Sequence, residues 1–210
     1  MIDDKLNVIT PFGPSIAKVK IPEKILKILN DHVDKVVIDQ KLQKEFDAGK
    51  SLVGNVAQEI FLNNKIIKES GWLSFLANAT QTWIKYITQQ KITKFNVNNS
   101  WIVRQFSNQY NPVHWHKGHI SGAGFLKVPS TFGETFQKDK KNVNGYLVLI
   151  NGQRSFMCGS KYEIKPEVGD FYIFPHYLMH TVYPFKDTDE ERRSISFNAV
   201  IDEKTFDVFY

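Results

Sequence analysis

The chain has 210 residues, 42% of them hydrophobic and 16 of them phenylalanine, which suits one well-buried domain and excludes a disordered or collagen-like protein. Its net charge of +5 rests on 27 basic against 22 acidic residues, yet only Arg104, Arg154, Arg192 and Arg193 are arginines. The lysines are scattered, with Lys138, Lys140 and Lys141 the densest group, so the charge reads as a solvated surface and indicates no nucleic-acid partner.

Residues 6–20 read as a strand, a turn at Pro11-Phe12-Gly13-Pro14 and a second strand. Pro22 then sits at a helix-start position. Ile25, Leu26, Leu29, Val33, Val36 and Val37 follow at three- and four-residue spacing, one face of an amphipathic helix. A second helical pattern runs from Trp72 through Leu76, Ala79 and Trp83 to Ile87. After about residue 95 the period changes, and strand-like runs appear at 100–106, 145–150, 170–174 and 194–200. Helices first and strands later predict an α+β fold with helices on one side of a β-structure. The whole chain, 1–210, reads as one domain, with strands and supporting helices over 1–94 and a β core over 95–210. The hydrophilic stretch 136–144 is a candidate lid over a site.

Five of the six histidines fall between His114 and His180. In a strand, residues i and i+2 share a face, so His114 and His116 can aim both imidazoles at one metal while Trp115 faces away. His180, taken to end the apolar run before it, is the expected third ligand. His119 and His176 are expected to be loop or supporting residues, and His32 a structural one on the first helix. Twelve residues past His180 lies Arg192, and Ser194 shares its strand face. An inward arginine calls for an anion, which its planar fork pairs two-pronged, with the hydroxyl as a further donor. Arg193 has the opposite parity and is expected to pair with the acidic turn 187–191. Trp101, Tyr110, Trp115 and Phe125 are candidates for an aromatic pocket or for core.

Several residues together resemble the non-haem Fe(II)- and 2-oxoglutarate-dependent oxygenases, in their prolyl-hydroxylase-like branch common in bacteria and phages. They are Trp101, Tyr110 to Gly118, Ser121-Gly122, Lys127-Val128-Pro129, Gly169-Asp170, Phe174-Pro175, His180, Val182 with Pro184, and Arg192 to Asn198. The resemblance covers roughly residues 95–200. It implies a double-stranded β-helix, a jelly-roll or cupin-like barrel, with N-terminal supporting helices. It further implies iron on His114, His116 and His180, and 2-oxoglutarate chelating the metal with its far carboxylate on Arg192 and Ser194. Oxygen would be consumed, succinate and CO2 released, and a C–H bond of a prolyl, amino-acid or other small substrate hydroxylated, with ascorbate as a reductant. No catalytic residue beyond the metal ligands is implied.

The chain departs from the wider superfamily, which places Asp or Glu two residues after the first histidine, where His116 stands here. A second alignment makes His116 the first ligand, with Gly118 leaving a vacancy. The alternative reading is a cupin-type metal-dependent isomerase or small-molecule-binding protein, favoured by the spacing of Gly169, Pro175 and His180. It lacks the acidic ligand a cupin expects and gives no task to Arg192 and Ser194. A third reading is a metal-free barrel acting as an interaction module.

Cys158 is the single cysteine, so no intramolecular disulfide can form and a reducing compartment is expected. No basic region with an apolar run follows Met1, and no stretch nears the roughly 20 apolar residues of a membrane helix. The expectation is a cytoplasmic enzyme, in the host cytoplasm if phage-encoded, with a small-molecule or peptidyl substrate.

Overall fold

The structure is a computed structural model that describes residues 13–49, 53–135 and 139–207. The first strand expected before Pro11 lies outside them. Strand β1 (Ala17–Lys20) leads into helix α1 (Glu23–Ile38), whose first turn opens on the Pro22 carbonyl, which accepts from the Ile25 and Leu26 amides. A short α2 (Gln40–Glu45) begins at Asp39, which caps it through the Lys41 and Leu42 amides. Strand β2 (Gln58–Phe61) and helix α3 (Asn64–Glu69) precede α4 (Trp72–Thr88). Both long helices fall where the apolar spacing puts them. Ile25, Leu29, Val33 and Val36 of α1 and Trp72, Leu76, Trp83 and Ile84 of α4 are buried, whereas Ile87 is exposed.

The β core follows as β3 (Phe95–Gln105), β4 (Asn111–His114), β5 (Ile120–Lys127), β6 (Leu147–Ile150), β7 (Lys161–Ile164), β8 (Asp170–Pro175), β9 (Met179–Val182) and β10 (Arg192–Ile201), closed by the short helix α5 (Glu203–Phe206). Two antiparallel sheets result. The major sheet has the order β1-β8-β5-β10-β3-β2, and the minor sheet β4-β9-β6-β7. This is the antiparallel arrangement of the double-stranded β-helix, as the resemblance implied.

Two hydrophobic cores follow from the two faces of the major sheet. On one face Ile102, Phe171, Ile173, Ile195 and Phe197 meet the apolar faces of α1 and α4. On the other, Phe125, Tyr172 and Phe174 meet Leu147, Leu149, Ile164 and Val182 of the minor sheet. Alternation along each strand feeds both layers at once.

Strand β5 escapes a hydrophobicity pattern because it carries glycine where aromatic rings of the neighbouring strands press closest. A Cβ on Gly122 would come within 2.6 Å of the Phe197 ring, and one on Gly124 within 2.4 Å of the Phe171 ring. The run expected at 145–150 starts later, at Leu147, since Gly145 takes a φ of 70° in a turn. Outside the runs read as strands, β2, β4, β7 and β9 are additional, each four residues long. Four residues are too few to display a period.

Candidate metal centre

The site forms between the sheets, in a cavity of about 140 Å³ lined from the major sheet by Glu59, Trp101, Val103, Phe125, Arg192 and Ser194 among others, and from the minor sheet side by His114, His116, Leu147 and His180. His114 ends β4 and is the register partner of His180 on β9. His180 is therefore not at the end of the apolar strand, as the sequence suggested. A turn, closed by the Leu178 amide donating to the Pro175 carbonyl at 3.0 Å, separates β8 from its own short strand. His116 lies beyond the end of β4, so strand alternation is not what aims it. Its backbone amide donates to the His176 carbonyl at 3.1 Å, which holds the segment in place. Trp115 does not simply turn away: it is 65% exposed and stands at the rim of the cavity.

The three imidazoles converge. One ring nitrogen from each lies within 4.8 Å of the others. The ring centroids are 4.3 Å apart for His114 and His180, 5.0 Å for His114 and His116, and 4.9 Å for His116 and His180. His114 Nδ1 donates to the Pro112 carbonyl at 2.7 Å, and His180 Nδ1 to the Leu178 carbonyl at 2.9 Å. A carbonyl only accepts, so in both rings the proton is on Nδ1 and the Nε2 lone pair points into the cavity. Backbone carbonyls orient metal-binding histidines in this way.

Burial, followed by the neighbouring imidazoles, pushes His116 down to about 3 and His180 to about 4, and burial also lowers His114. All three rings are thus neutral at pH 7, the form that binds metal. His180 Nε2 and His116 Nε2 face each other at 3.2 Å, two nitrogens on one point. The donor set fits a first-row transition metal such as iron, with three neutral nitrogens and no carboxylate among the described residues of the cluster.

Arg192 is 1% exposed and lies over the Phe125 ring, with its Cζ 5.1 Å from the centroid. Its Nε donates to the Gly145 carbonyl at 3.1 Å, and its Nη1 to Gln105 Oε1 at 3.1 Å and Ser194 Oγ at 3.3 Å. Burial alone pulls its pKa down to about 9, and no described carboxylate pairs with it. A buried cation held only by neutral acceptors is costly until an anion joins it. Arg193 points to the opposite face, as its parity predicts, and meets Glu191 at 2.9 Å and Asp34 of α1 at 2.7 Å. Arg104 also meets Glu191, at 2.8 Å. Burial alone would raise the Glu191 carboxyl, but Arg193 and Arg104 more than offset it and hold it below the usual range. The residues on both sides of Arg192 are therefore pinned, and β10 delivers its guanidinium into the cavity.

The remaining expectations sort by position. His119 stacks on Phe206 of α5 with centroids 4.0 Å apart, His176 Nδ1 donates to the His119 carbonyl at 3.3 Å, and neither lines the cavity. His32 packs edge-on against Phe46. Gly118 lies against the Ala199 carbonyl of β10 and also does not line the cavity. Trp101, Trp115 and Phe125 line it, whereas Tyr110 does not. From the candidate lid, residues 136–138 lie outside the described residues, and none of 139–144 lines the cavity. Sequence reasoning missed Gln105, which sits on the recognised strand β3 and accepts from Arg192, and Asn111 and Glu59, which reach the cavity from the four-residue strands β4 and β2. Among the described residues, no helix is long and apolar enough to cross a membrane.

Residues 99–198 match the family model described as "Putative 2OG-Fe(II) oxygenase". No curated protein matches the sequence. Among solved structures, the fold is similar to a prolyl-4-hydroxylase from Pseudomonas putida, with a TM-score of 0.57 at 13% identity over 87% of this chain and 91% of that one. It is also similar to the viral collagen prolyl hydroxylase of Paramecium Bursaria Chlorella virus-1 in its 2OG complex, with a TM-score of 0.50 at 14% identity over 88% and 94% of the two chains. HygX from Streptomyces hygroscopicus with iron bound aligns with a TM-score of 0.54 at 8% identity over 88% and 81%. The match to the 2OG-Fe(II) oxygenase model is to the segment 99–198, just under half of the chain, and that segment contains the three histidines, Arg192 and Ser194.

Proposed function

We propose that His114, His116 and His180 hold the iron, that Arg192 and Ser194 receive the distal carboxylate of 2-oxoglutarate, and that the enzyme hydroxylates a C–H bond of a prolyl, amino-acid or other small substrate. The observation that carries this reading is the pairing, in one cavity, of three converging neutral imidazoles with a buried arginine that no described carboxylate neutralises. Iron bound there would activate oxygen, of which one atom would go to the substrate C–H as hydroxyl and the other to succinate as 2-oxoglutarate loses CO2.

The protein's own residues do the positioning. The Pro112 and Leu178 carbonyls fix two ligand rings, so the metal meets preset lone pairs. Arg192 and Ser194 fix one end of the co-substrate, leaving its other end free to face the histidines. Phe125, Val103, Leu147 and Val182 keep the walls apolar, which limits the access of water to the reacting atoms. A ligand set of three imidazoles leaves the metal one negative charge short of the two-histidine, one-carboxylate arrangement, which weakens its retention.

The chain acts as one domain, on a small-molecule or peptidyl substrate rather than nucleic acid. A reducing compartment such as the cytoplasm suits its one cysteine, Cys158, which is exposed and free. The test is succinate release from 2-oxoglutarate after anaerobic loading with Fe(II), across a panel of amino acids and peptides. Succinate that depends on both iron and 2-oxoglutarate, and rises with a member of the panel, is the expected result. Its absence with every member and without any would sink the reading.

A further inference from the structure

The cavity holds one ionisable side chain that neither the metal nor the co-substrate uses. Glu59 on β2 is 4% exposed and lines the same cavity as the three histidines and Arg192. It is not part of the metal cluster, which comprises the histidines alone among the described residues. It has no ion pair or side-chain hydrogen bond among the described residues either. Burial, followed by the nearby Asp47 carboxylate, pushes its pKa up to about 7, the response of an acid that lacks a counter-ion.

The sheet register fixes where this acid stands. Glu59 pairs with Val103, Val103 with Ser194, and Ser194 with Phe125, so the four form a row across β2, β3, β10 and β5. Strands are spaced roughly 4.8 Å apart, which puts Glu59 about 10 Å from Ser194 along that row. One end of the cavity is therefore cationic and the other acidic. Arg192 is not the partner of Glu59: no ion pair joins the two among the described residues, and its Nε and Nη1 go to Gly145, Gln105 and Ser194 at the other end of the row, which leaves Nη2 for an anion.

A second polar group converges on the acidic end. A Cβ built on Gly54 would fall 2.4 Å from Asn111 Oδ1 and 2.8 Å from Glu59 Oε1. The carboxyl and the amide thus share one niche, and a glycine leaves it room. Trp101 and Trp115 line the same cavity. Two oxygen-bearing side chains in a cavity that is also lined by two indoles suit a cation with N–H donors.

We propose that Glu59, with Asn111, is the substrate-recognition element of this oxygenase and that it takes a protonated amine. Resting on the function proposed above, this narrows the substrate to molecules with a cationic nitrogen, such as a free amino or imino acid. A peptidyl proline does not qualify, because its nitrogen is a tertiary amide with neither charge nor hydrogen.

The test uses the full chain loaded with Zn(II) and 2-oxoglutarate, so that binding is read without turnover. Calorimetry or ligand-observed NMR compares pyrrolidine, cationic at pH 7, with uncharged N-acetylpyrrolidine. We expect pyrrolidine to bind about tenfold or more tightly, and Glu59→Gln to erase most of that ratio, as loss of a charged hydrogen-bond acceptor would. Binding of 2-oxoglutarate by the variant checks that its site is still folded. A ratio near one in the wild type, undetectable pyrrolidine binding, or a preference kept by Glu59→Gln overturns the proposal. The wild-type ratio alone decides if the variant fails to fold. Failure of the oxygenase reading would show separately, as no 2-oxoglutarate-dependent succinate from the Fe(II)-loaded enzyme.

Discussion

Arg192 and Arg193 are adjacent, both buried, and opposite in role. Arg193 faces α1 and is neutralised by Glu191 and Asp34, whereas Arg192 faces the cavity and has only neutral partners. The difference is one of strand parity, so it was legible in the sequence once β10 was recognised. On this basis Arg192→Ala should weaken 2-oxoglutarate binding by about 2–4 kcal/mol, roughly 30-fold or more. Iron affinity should change far less. Titrations of both ligands on the variant decide the matter, and equal losses would count against the assigned role. His116 shows the limit of parity, because it lies beyond the end of its strand and is aimed by a backbone hydrogen bond to His176. Glu59 shows another limit. In the sequence it is an ordinary acid between Gln58 and Ile60, and only pairing with β3 reveals that it faces the cavity.

At the scale of elements, the two long helices and the strands β3, β8 and β10 were readable because each is long enough to repeat its period, or apolar on both faces. Strand β5 was not, although it pairs with both β8 and β10. Its Gly122 and Gly124 exist to let Phe197 and Phe171 approach, a requirement set by other strands. We therefore expect Gly124→Ala to destabilise the fold by about 1–3 kcal/mol, since the added methyl meets Phe171 and the Asp170 carbonyl. Gly159→Ala, where nothing lies within 4 Å, is the control and should stay within about 0.5 kcal/mol of the wild type. Urea unfolding of both variants measures the contrast. Similar stabilities would mean that β5 packs more loosely than the distances require.

For the whole molecule, the proposed metal ligands bridge β9 and the segment running from β4 to His116, so a metal bound there would fasten that side of the cavity. A metal that binds only the folded state adds about 2.7 kcal/mol at a hundredfold excess over its Kd, or roughly 5–10 °C in Tm at this size. Chelation should lower the wild-type Tm by that amount and leave His180→Ala unmoved. A His180→Ala protein that still responds would remove His180 from the ligand set. The sequence by itself determined the α+β order, the faces of α1 and α4, the candidate histidines and the parity of Arg192 and Ser194, because periodicity and spacing are local properties. Only the tertiary structure decided which residues share the cavity. It put His180 in a strand of its own, turned Trp115 to the rim, and brought Glu59 and Asn111 together over Gly54. These are consequences of which strands pair and in what register, and register is fixed by packing between segments far apart in the chain.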